Sequence, residues 1–501
     1  MTLTWTALIA VIALTILHRI LLTLYRLFLH PLASYPGPLL WTTSRLPFQL
    51  SWLRGTIHRD LLSLHARHGP VIRVAPNQLA FSTPRAWKDI YGNVGPRAFW
   101  RDPLYNHPPV NGVDHLICAL DEGTHARHRR LLAKGFTGEA LGRQEEIVKG
   151  YMNKMVQRVG EEAEKGPVDL GAWLNYATFD ITGDLMFGES FGCLEGSTLH
   201  PWVALVFGAL EAITYITFVK QFPWLNAVLM RMVPKSVLQK GIDHFEMSAE
   251  KADKRIEMGA ERPDFMSSVL KNGFSEVHGT HAEKEKVMSR AEIHSNSYIL
   301  IMAGSETTAT ASSGICYYLC KYPKAMQRVC AEVRAAFSSE VDIRFDNTTN
   351  LKYLNAVIEE GLRIYPPVPF AFPRRPPPGG AMADGYFVPE GTTVAIYHYP
   401  TSHSPHNFHL PDDFIPERWL GEDPRFANDK LDAVRPFQLG PTGCLGKALA
   451  YAEMRYVLCK LLFCFDMSLS PESHEWAEKQ AINFVWNRPP LMIELKKRSG
   501  A

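Results

Sequence analysis

The sequence has few cysteines and almost no excess charge of either sign. Eight cysteines are spread over 501 residues and none belongs to a Cys-x-x-Cys pair, which excludes a disulfide scaffold and favours a reduced, cytosol-facing chain. The net charge is only +2, so no global field would attract nucleic acid. The chain also lacks internal repeats, low-complexity tracts and any linker that divides it. One large globular unit is therefore predicted.

Long apolar runs are confined to the N-terminus. No residue between positions 3 and 17 is charged, and apolar character resumes at positions 20–29 after His18 and Arg19. The uncharged run alone is shorter than the ~20 residues that span a bilayer, but arginine side chains can snorkel to the interface and let the whole segment cross. The positive charges follow the apolar core, which places the rest of the chain in the cytosol. A membrane anchor is predicted, with a buried or interfacial amphipathic helix as the alternative.

Helical patterns dominate the remainder of the chain. They extend from about residue 120 to 335, and short β-like segments occupy residues 70–82, 385–398 and 481–495. Prolines cluster between residues 363 and 416 and indicate extended, turn-rich structure there. The predicted fold class is mainly α with small β-sheets.

One predicted helix is unusually long and has an unusual composition. Ser289 and Glu292 form a capping box, and nothing interrupts the helix before Pro323, so it would extend for about thirty residues, roughly 45 Å. Its middle is AGSETTAT, residues 303–310, where Gly304 costs about 1 kcal/mol relative to alanine. An acid and two threonines beside it are out of place in a core. Two interpretations remain: a polar face turned to water, or a groove in a buried helix where an acid and an alcohol meet a small ligand.

A glycine-rich loop surrounds one cysteine just before another predicted helix. Cys444 lies in PFQLGPTGCLGKALA, residues 436–450, where most neighbours offer backbone and almost no side chain. A buried cysteine is by default an inert small hydrophobe, and we interpret Cys459 and Cys464 in that way. The glycine context distinguishes Cys444 from them.

Four stretches of the second half have the order and spacing of one family. They are AGSETT at 303–308, Glu360-x-x-Arg363, Pro416-Glu417-Arg418-Trp419, and Phe437-x-x-Gly440-x-Thr442-x-Cys444-x-Gly446. The chain resembles a cytochrome P-450, the haem-thiolate monooxygenase family, over essentially its whole length. Further stretches at 125–136 and 175–195 are similar to its fungal secondary-metabolism branch, notably terpenoid and trichothecene hydroxylases. The segments implied are a transmembrane anchor over 1–29, a proline-rich hinge over 30–38 and a catalytic domain over 39–501.

The resemblance implies that Cys444 is the proximal ligand of a haem iron. A thiolate ligand needs backbone N–H groups close to its sulfur, because they stabilise the negative charge and tune the iron. The glycines at positions 440, 443 and 446 permit that approach, and Gly446 would itself contact the cofactor. Phe437 would pack against the ligand side of the haem.

The two haem propionates need cations or hydrogen-bond donors. By resemblance, His125 and Arg129, four residues apart, match one propionate contact of the family, and Arg374 matches another. Arg127 and Arg130 are expected to face solvent, where they would help to dock an acidic electron-donor protein.

On the opposite side of the haem, the resemblance implies the oxygen-handling residues. Ala303 and Gly304 would line the oxygen groove and leave room over the iron. Glu306 and Thr307 match the acid–alcohol pair of the family, which holds water and delivers protons so that the O–O bond of dioxygen breaks. An intact pair argues against enzymes of this family that do not use dioxygen.

Two further features concern the support of the cysteine loop. Glu360, Arg363 and Arg418 match a buried ionic triad that locks the loop against the core, and removing one partner would cost about 3–5 kcal/mol. Thr442 departs from the family, which usually has an arginine there that reaches a propionate. A charge-assisted hydrogen bond is worth about 1.5–3 kcal/mol and a neutral one nearer 1. Threonine can donate one bond but brings no charge, so we expect weaker haem retention or a shifted redox potential, and an otherwise intact site.

The implied activity is a haem-dependent monooxygenase that uses dioxygen and electrons from an NADPH-dependent flavoprotein reductase, located in the endoplasmic reticulum membrane with its catalytic domain in the cytosol. Apolar segments at 97–118, 200–225, 368–373 and 482–486 predict a hydrophobic substrate such as a terpenoid or polyketide intermediate, and no nucleic-acid partner. The alternatives are ring formation, desaturation or rearrangement by a haem-thiolate enzyme, and a membrane haem protein without turnover. Substrate-dependent NADPH consumption would separate the last from an enzyme.

Overall fold

Helices form most of the molecule, as the sequence pattern predicts. The computed structural model describes residues 2–95, 98–198, 200–275 and 286–498. Its α-helices are α1 (Thr2–Leu24), α2 (Leu39–Thr43), α3 (Leu46–Leu53), α4 (Ile57–His68), α5 (Pro84–Trp87), α6 (Glu122–Ala133), α7 (Gly138–Ala163), α8 (Leu170–Phe187), α9 (Cys193–Gly196), α10 (Pro201–Lys220), α11 (Asn226–Met232), α12 (Lys235–Glu257), α13 (Ser267–Lys271), α14 (Arg290–Lys321), α15 (Pro323–Ala336), α16 (Phe345–Thr348), α17 (Lys352–Ile364), α18 (His398–Ser402) and α19 (Lys447–Cys464).

The strands are short and form small sheets. They are β1 (Val71–Ala75), β2 (Gln78–Phe81), β3 (Trp100–Arg101), β4 (Val168–Asp169), β5 (Phe274–Ser275), β6 (Met288–Ser289), β7 (Arg374–Arg375), β8 (Ala381–Ala383), β9 (Tyr386–Val388), β10 (Thr393–Ile396), β11 (Phe465–Leu469), β12 (Ala481–Asn483), β13 (Val485–Asn487) and β14 (Met492–Lys497). The three segments predicted as β-like all contain strands. The fold class predicted from the sequence is therefore confirmed.

The largest sheet has five strands in the order β1-β2-β10-β7-β3. Its strands are antiparallel except for β10, which is parallel to β2. Val394 of β10 is paired with both Leu79 and Arg374, and Arg374 in turn lies opposite Arg101. A second sheet has the order β11-β14-β4, and β12-β13, β5-β6 and β8-β9 form pairs. The register of the large sheet thus places two arginines side by side.

The long helix predicted from its capping box is confirmed and lies at the centre of the core. α14 has 32 residues, and both bonds of the box are present: Glu292 N donates to Ser289 Oγ at 3.3 Å, and Ser289 N donates to Glu292 Oε2 at 2.8 Å. The helix ends at Lys321, directly before Tyr322 and Pro323. It packs most extensively against α8, and most of its side chains are buried.

The N-terminal helix is exposed, whereas the segment after it packs on the body of the protein. Residues Trp5–Leu29 are long and apolar enough to cross a membrane. After them Leu32 is fully buried, and Arg73 Nη1 donates to Arg26 O at 2.8 Å and to Leu32 O at 3.3 Å. Arg73 N also donates to Pro36 O at 2.7 Å. These bonds hold the proline-rich segment against β1.

Candidate functional site

The cysteine loop is folded tightly against residues 88–92. Gly440 has a φ of +68°, and a Cβ atom at this position would lie 2.1 Å from the carbonyl oxygen of Tyr91. Only glycine fits there, for two reasons. The left-handed φ disfavours any residue with a side chain, and the backbone of Tyr91 already occupies the space that a Cβ atom would need. A hydrogen bond of 3.0 Å from Gly443 N to Gly440 O then closes the turn that leads to the cysteine.

The thiol of Cys444 is exposed although protein atoms crowd it on most sides. Its backbone N–H donates to Phe437 O at 2.8 Å. Burial raises the pKa of the Cys444 thiol, while a backbone hydrogen bond from Gly446 and the charge of Arg129 lower it. A thiol that is open on one side and met by N–H groups and cations on others is suited to be a thiolate ligand.

Phe437 and Gly446 lie beside this thiol, in the same loop. The Phe437 ring packs 5.1 Å from the ring of Tyr451, and the Lys447 ammonium lies 5.8 Å from it. A Cβ atom at Gly446 would meet only the Phe136 ring, at 4.0 Å. Space alone therefore does not require glycine at 446.

Thr442 is paired with Arg374. Arg374 Nη2 donates to Thr442 Oγ1 at 2.5 Å, while Arg374 Nη1 is buried and has no partner in the described part of the chain. The side chain is 2% exposed, its guanidinium lies 5.2 Å from the Tyr91 ring centre, and burial lowers the pKa of Arg374 to about 10. Thr442 thus accepts a bond from the arginine, since a guanidinium group can only donate.

Three arginines that have no carboxylate partner among the described residues meet around His125. Arg101 and Arg374 are cross-strand neighbours, and Arg129 follows His125 by one turn on α6. Burial lowers the pKa of Arg101 to about 9, with Arg374 and Arg129 adding to the effect. Burial and the same three arginines lower the pKa of His125 to about 3, so the imidazole is neutral. Like charges opposite each other destabilise a sheet, and this cluster therefore indicates an anionic ligand.

Backbone carbonyl groups hold two of these arginines in place. Arg129 Nη1 donates to Gly443 O at 2.6 Å, which ties α6 to the cysteine loop. Arg101 Nη1 donates to Leu116 O at 2.8 Å and to Ala119 O at 2.9 Å. Neutral acceptors orient the guanidinium groups without cancelling their charge, so the charge remains available to a ligand.

The predicted acid and alcohol lie on different faces of α14. Ala303, Gly304 and Thr307 form a partly exposed stripe on a helix that is otherwise buried around them. Thr307 Oγ1 donates to Ala303 O at 2.7 Å. Glu306 is 1% exposed, and its Oε1 accepts from Thr310 Oγ1 at 2.9 Å. The polar residues lie inside the molecule, which favours the groove interpretation over a helix that turns a polar face to water.

Two contacts of this helix were not predicted. Arg488, between β13 and β14, donates from Nη2 to Glu306 Oε1 at 2.7 Å, and this ion pair is buried. A Cβ atom at Gly304 would lie 2.9 Å from Thr182 Cγ2 on α8. The close approach of α8 and α14 therefore explains why glycine occupies position 304. Its place in an oxygen groove stays a prediction.

The buried ionic triad is confirmed. Arg363 Nε donates to Glu360 Oε2 at 2.8 Å and Arg418 Nε to Glu360 Oε1 at 3.0 Å, with all three side chains fully buried. Trp419 Nε1 adds a bond of 2.8 Å to the same carboxylate. Burial opposes the ionisation of Glu360, but Arg363 and Arg418 outweigh it and lower the pKa below its ordinary value. Arg418 also pairs with Asp429. Asp429 lies in a polar stretch that contains no motif, so the sequence did not single it out.

Ile299, one helical turn before Ala303, lines an apolar cavity that contains about 870 Å³ of space with its open mouth included. Each of the four apolar segments predicted to contact substrate contributes to its wall. These contributions are Tyr105 and His107, Ile213 and Phe218, Phe370 and Phe372, and Phe484. Gln49, Trp52 and Leu53 of α3 complete the wall, and no sequence pattern singled them out.

The expectation that Arg127 faces solvent is wrong. Its Nη1 donates to Glu292 at 3.0 Å and to Val287 O at 3.0 Å, and the side chain is only 14% exposed. Arg127 therefore joins α6 to the start of α14, because the capping box places a carboxylate within its reach. Arg130, by contrast, is exposed.

The cytochrome P-450 family model matches residues 35–495 of the chain. The chain belongs to the cytochrome P-450 family. It is 40% identical to trichothecene C-15 hydroxylase of Fusarium sporotrichioides over 486 residues, 96% of either chain. It is also 40% identical to averantin hydroxylase of Dothistroma septosporum over 95% of this chain and 88% of that protein, and to a cytochrome P-450 monooxygenase of Hormonema carpetanum over 99% and 97%. The predicted resemblance, including its fungal secondary-metabolism branch, is confirmed.

Cytochromes P-450 use haem with dioxygen and NADPH-derived electrons, and the residues of this chain fit that cofactor. Haem needs one thiolate and carries two carboxylates. The chain offers the open thiol of Cys444 and a buried Arg374 Nη1 without a partner among the described residues. Arg101 and Arg129 add cationic groups that donate to backbone carbonyls. The protein is thus a haem-dependent monooxygenase by family and has matching donors of its own.

Proposed function

We propose that this cytochrome P-450 hydroxylates an apolar, ring-containing small molecule of the terpenoid or polyketide type. The observation that carries the proposal is the cavity lined by Ile299 of α14 and by Phe370, Phe372 and Phe484. Aromatic walls with few polar groups suit a rigid apolar ligand. The names of two relatives, a trichothecene hydroxylase and an averantin hydroxylase, support the same substrate classes.

In this proposal the cysteine loop and the arginine cluster hold the haem. Cys444 is the iron ligand, and Arg101, Arg129 and Arg374 bind the propionates, with the neutral His125 beside them. When bound, the haem supplies the redox centre at which dioxygen is activated. Gly440 keeps the loop in the one conformation that packs on residues 88–92, and this fixes the position of the thiol.

The proposed proton carriers are Glu306 and Thr307. Thr307 lies on the partly exposed stripe of α14 and donates its own hydrogen to Ala303 O, which leaves its oxygen free to accept a hydrogen bond. Glu306 is the neighbouring acid. An acid and an alcohol on a mostly buried helix can pass on protons one at a time from fixed positions.

We also propose an NADPH-dependent flavoprotein reductase as the electron donor and the endoplasmic reticulum membrane as the location, with the body of the protein in the cytosol. The apolar helix that ends near Leu29 and the arginines that follow its uncharged part support this orientation. The exposed Arg130 on α6 is near the cysteine loop, to which the same helix is tied through Arg129. It is a candidate contact for an acidic donor surface.

The test is the carbon-monoxide difference spectrum of the dithionite-reduced protein, followed by a binding screen of apolar terpenoids and polyketides. We expect the strongly red-shifted Soret band of a thiolate ligand, and its loss in Cys444→Ala. Cys459→Ala, a buried cysteine in α19, is the matched control and should keep the band. A band typical of histidine-ligated haem in the wild type would refute the site. Binding only of charged, polar compounds would refute the substrate class.

A further inference from the structure

Arg488 is held by three side chains at once. Its Nη2 donates to Glu306 Oε1 at 2.7 Å and to Asn175 Oδ1 at 3.1 Å, and its Nη1 donates to Ser313 Oγ at 3.1 Å. The Arg488 side chain is 8% exposed and that of Glu306 is 2% exposed. An arginine fork with this many partners has little freedom to reorient, so it fixes the carboxylate that it binds.

The two oxygens of Glu306 have unequal surroundings. Oε1 accepts from Arg488 and from Thr310 Oγ1, at 2.7 and 2.9 Å. Oε2 is buried and has no hydrogen-bond partner in the part of the chain that the structure describes. A buried acceptor without a partner costs about 1–3 kcal/mol, and such groups are rare outside functional sites. One oxygen of Glu306 is thus saturated, whereas the other is free.

We propose that Arg488 is the positioning residue of Glu306: it holds Oε1 and thereby leaves Oε2 as the single oxygen that takes up and passes on protons. The inference rests on the proposed function, in which Glu306 supplies protons toward Thr307. In each cycle a hydronium ion gives one proton to Oε2, and an O–H bond of the hydronium breaks as the Oε2–H bond forms. The Oε2–H bond then breaks as the proton passes to a water molecule beside the Thr307 hydroxyl, which becomes the next hydronium ion. Loss of that proton restores the carboxylate, which the charge of Arg488 stabilises.

The alternative role for Arg488 is structural. The ion pair joins the segment between β13 and β14 to α14, and Asn175 adds α8 to the same contact. In that case loss of Arg488 would lower stability and haem content without any specific effect on proton transfer. The experiment must therefore separate the two roles.

The first measurement is the ionisation state of Glu306 in the holoenzyme, by infrared difference spectroscopy. Arg488→Met should leave the buried carboxylate without its cation, so that it takes up a proton and the carbonyl band of a carboxylic acid appears. The band should be absent from the wild type and from the Arg488→Met/Glu306→Gln double variant. Glu453, whose pKa burial raises to about 8, contributes equally to all variants and cancels in the difference.

The second measurement is NADPH consumption with a fungal flavoprotein reductase and dioxygen, in H2O and in D2O. We expect Arg488→Met to slow consumption by about tenfold or more and to increase the solvent isotope effect. In the Glu306→Gln background the same substitution should have no further effect, because the two residues act as a unit. Arg488→Lys keeps the charge and should restore most of the rate.

Arg334→Met is the matched control. Arg334, like Arg488, pairs with an acid, here Asp466, and it donates in addition to two backbone carbonyls away from the site. Its loss should therefore change the thermal midpoint and not the isotope effect. The inference is overturned if Arg488→Met gives no carboxylic acid band, if its effect adds to that of Glu306→Gln, or if it behaves as Arg334→Met does. If Glu306→Gln itself leaves the isotope effect unchanged, the proton role in the proposed function fails instead.

Discussion

At the scale of single residues, Thr442 departs most clearly from the family pattern. The family's usual arginine is missing there, yet Arg374 reaches the same position from β7 and donates to the threonine. Arg101, its neighbour across the β3–β7 pair, provides another cation. Arg374 is itself expected from the family pattern, so we expect Arg101, which no motif singled out, to offset part of the charge that Thr442 does not bring.

This arrangement makes the hydroxyl of Thr442 important as an acceptor. Thr442→Val keeps the shape but leaves a second N–H group of Arg374 buried without a partner, at a cost of about 1–3 kcal/mol. We expect a lower thermal midpoint and a faster transfer of haem to apomyoglobin. Thr349→Val, which removes an exposed hydroxyl at a helix end, should change neither. Equal behaviour of the two variants would contradict the acceptor role.

The ionic triad predicts a pH-dependent contribution to stability. Glu360→Gln leaves Arg363 and Arg418 buried without their carboxylate and should destabilise by about 3–5 kcal/mol. Because the pKa of Glu360 is lowered on folding, its contribution is present above the ordinary value of 4.5 and is lost as the pH falls below it. The gap in thermal midpoint between wild type and variant should therefore be constant near neutral pH and shrink in acid. Glu422→Gln, in an exposed pair with Arg328, should cost less than about 1 kcal/mol at any pH.

The sequence identified the residues whose local context is unusual. Cys444 stands out because glycines surround it, and Arg374 because it follows a proline-rich motif. Arg101 and Arg488 lie in ordinary stretches, and their roles arise only from partners more than a hundred positions away, or across a sheet. No local pattern encodes such a contact.

At the scale of elements, the cysteine loop depends on the turn at Gly440. Gly440→Ala combines a left-handed φ with a Cβ atom 2.1 Å from Tyr91 O. We expect this variant to lose the red-shifted carbon-monoxide band in most molecules, because the loop must shift to relieve the clash. Gly421→Ala has a similar φ of +69° but nothing within 4 Å, so it measures the backbone strain alone, about 1 kcal/mol. Equal retention of the band in the two variants would contradict the steric argument.

The long helix illustrates what local chemistry can and cannot specify. Both ends of α14 could be predicted, because a capping box and a proline are local signals. The division of its polar residues between two faces could not. The packing of α8 and the C-terminal strands around the helix decides which face contacts Arg488 and which face remains open. The sequence of the helix by itself does not specify that packing.

At the scale of the whole molecule, buried histidines predict sensitivity to acid. Among the described residues, six are almost fully buried with pKa values lowered by burial to about 3 or 4: His58, His65, His115, His125, His244 and His398. Below pH 6.5 the unfolded chain binds protons that the folded chain does not, so stability falls as the pH falls from 6.5 toward 4. Each histidine contributes up to about 1.4 kcal/mol per pH unit.

Thermal unfolding measured between pH 8 and pH 5 provides the test. We expect a nearly constant midpoint above pH 7 and a steep fall below pH 6.5. His398→Phe, which keeps the stacking on Trp87, should reduce the slope by about one proton, whereas the exposed His406→Gln should leave it unchanged. A midpoint that is flat down to pH 5 would mean that these histidines are protonated in the folded protein.

The general architecture could be inferred from the order of motifs, whereas the distribution of buried charge could not. Helix and strand segments were evident from their periodicity and turns. The number of neutral histidines and of arginines without a carboxylate partner depends on which side chains come into contact in the core. These contacts form only when all elements have packed together.

The bonds from Arg73 to the segment after α1 have a consequence for how the enzyme finds its partners. With the proposed anchor in a bilayer, these bonds prevent the body from swinging freely on a flexible tether. Diffusion is then confined to two dimensions and to a narrow range of tilts. A membrane-bound electron donor would meet the same side of the enzyme at nearly every collision. Two freely tumbling proteins must first find the correct mutual orientation, whereas here the fold and the membrane already restrict it.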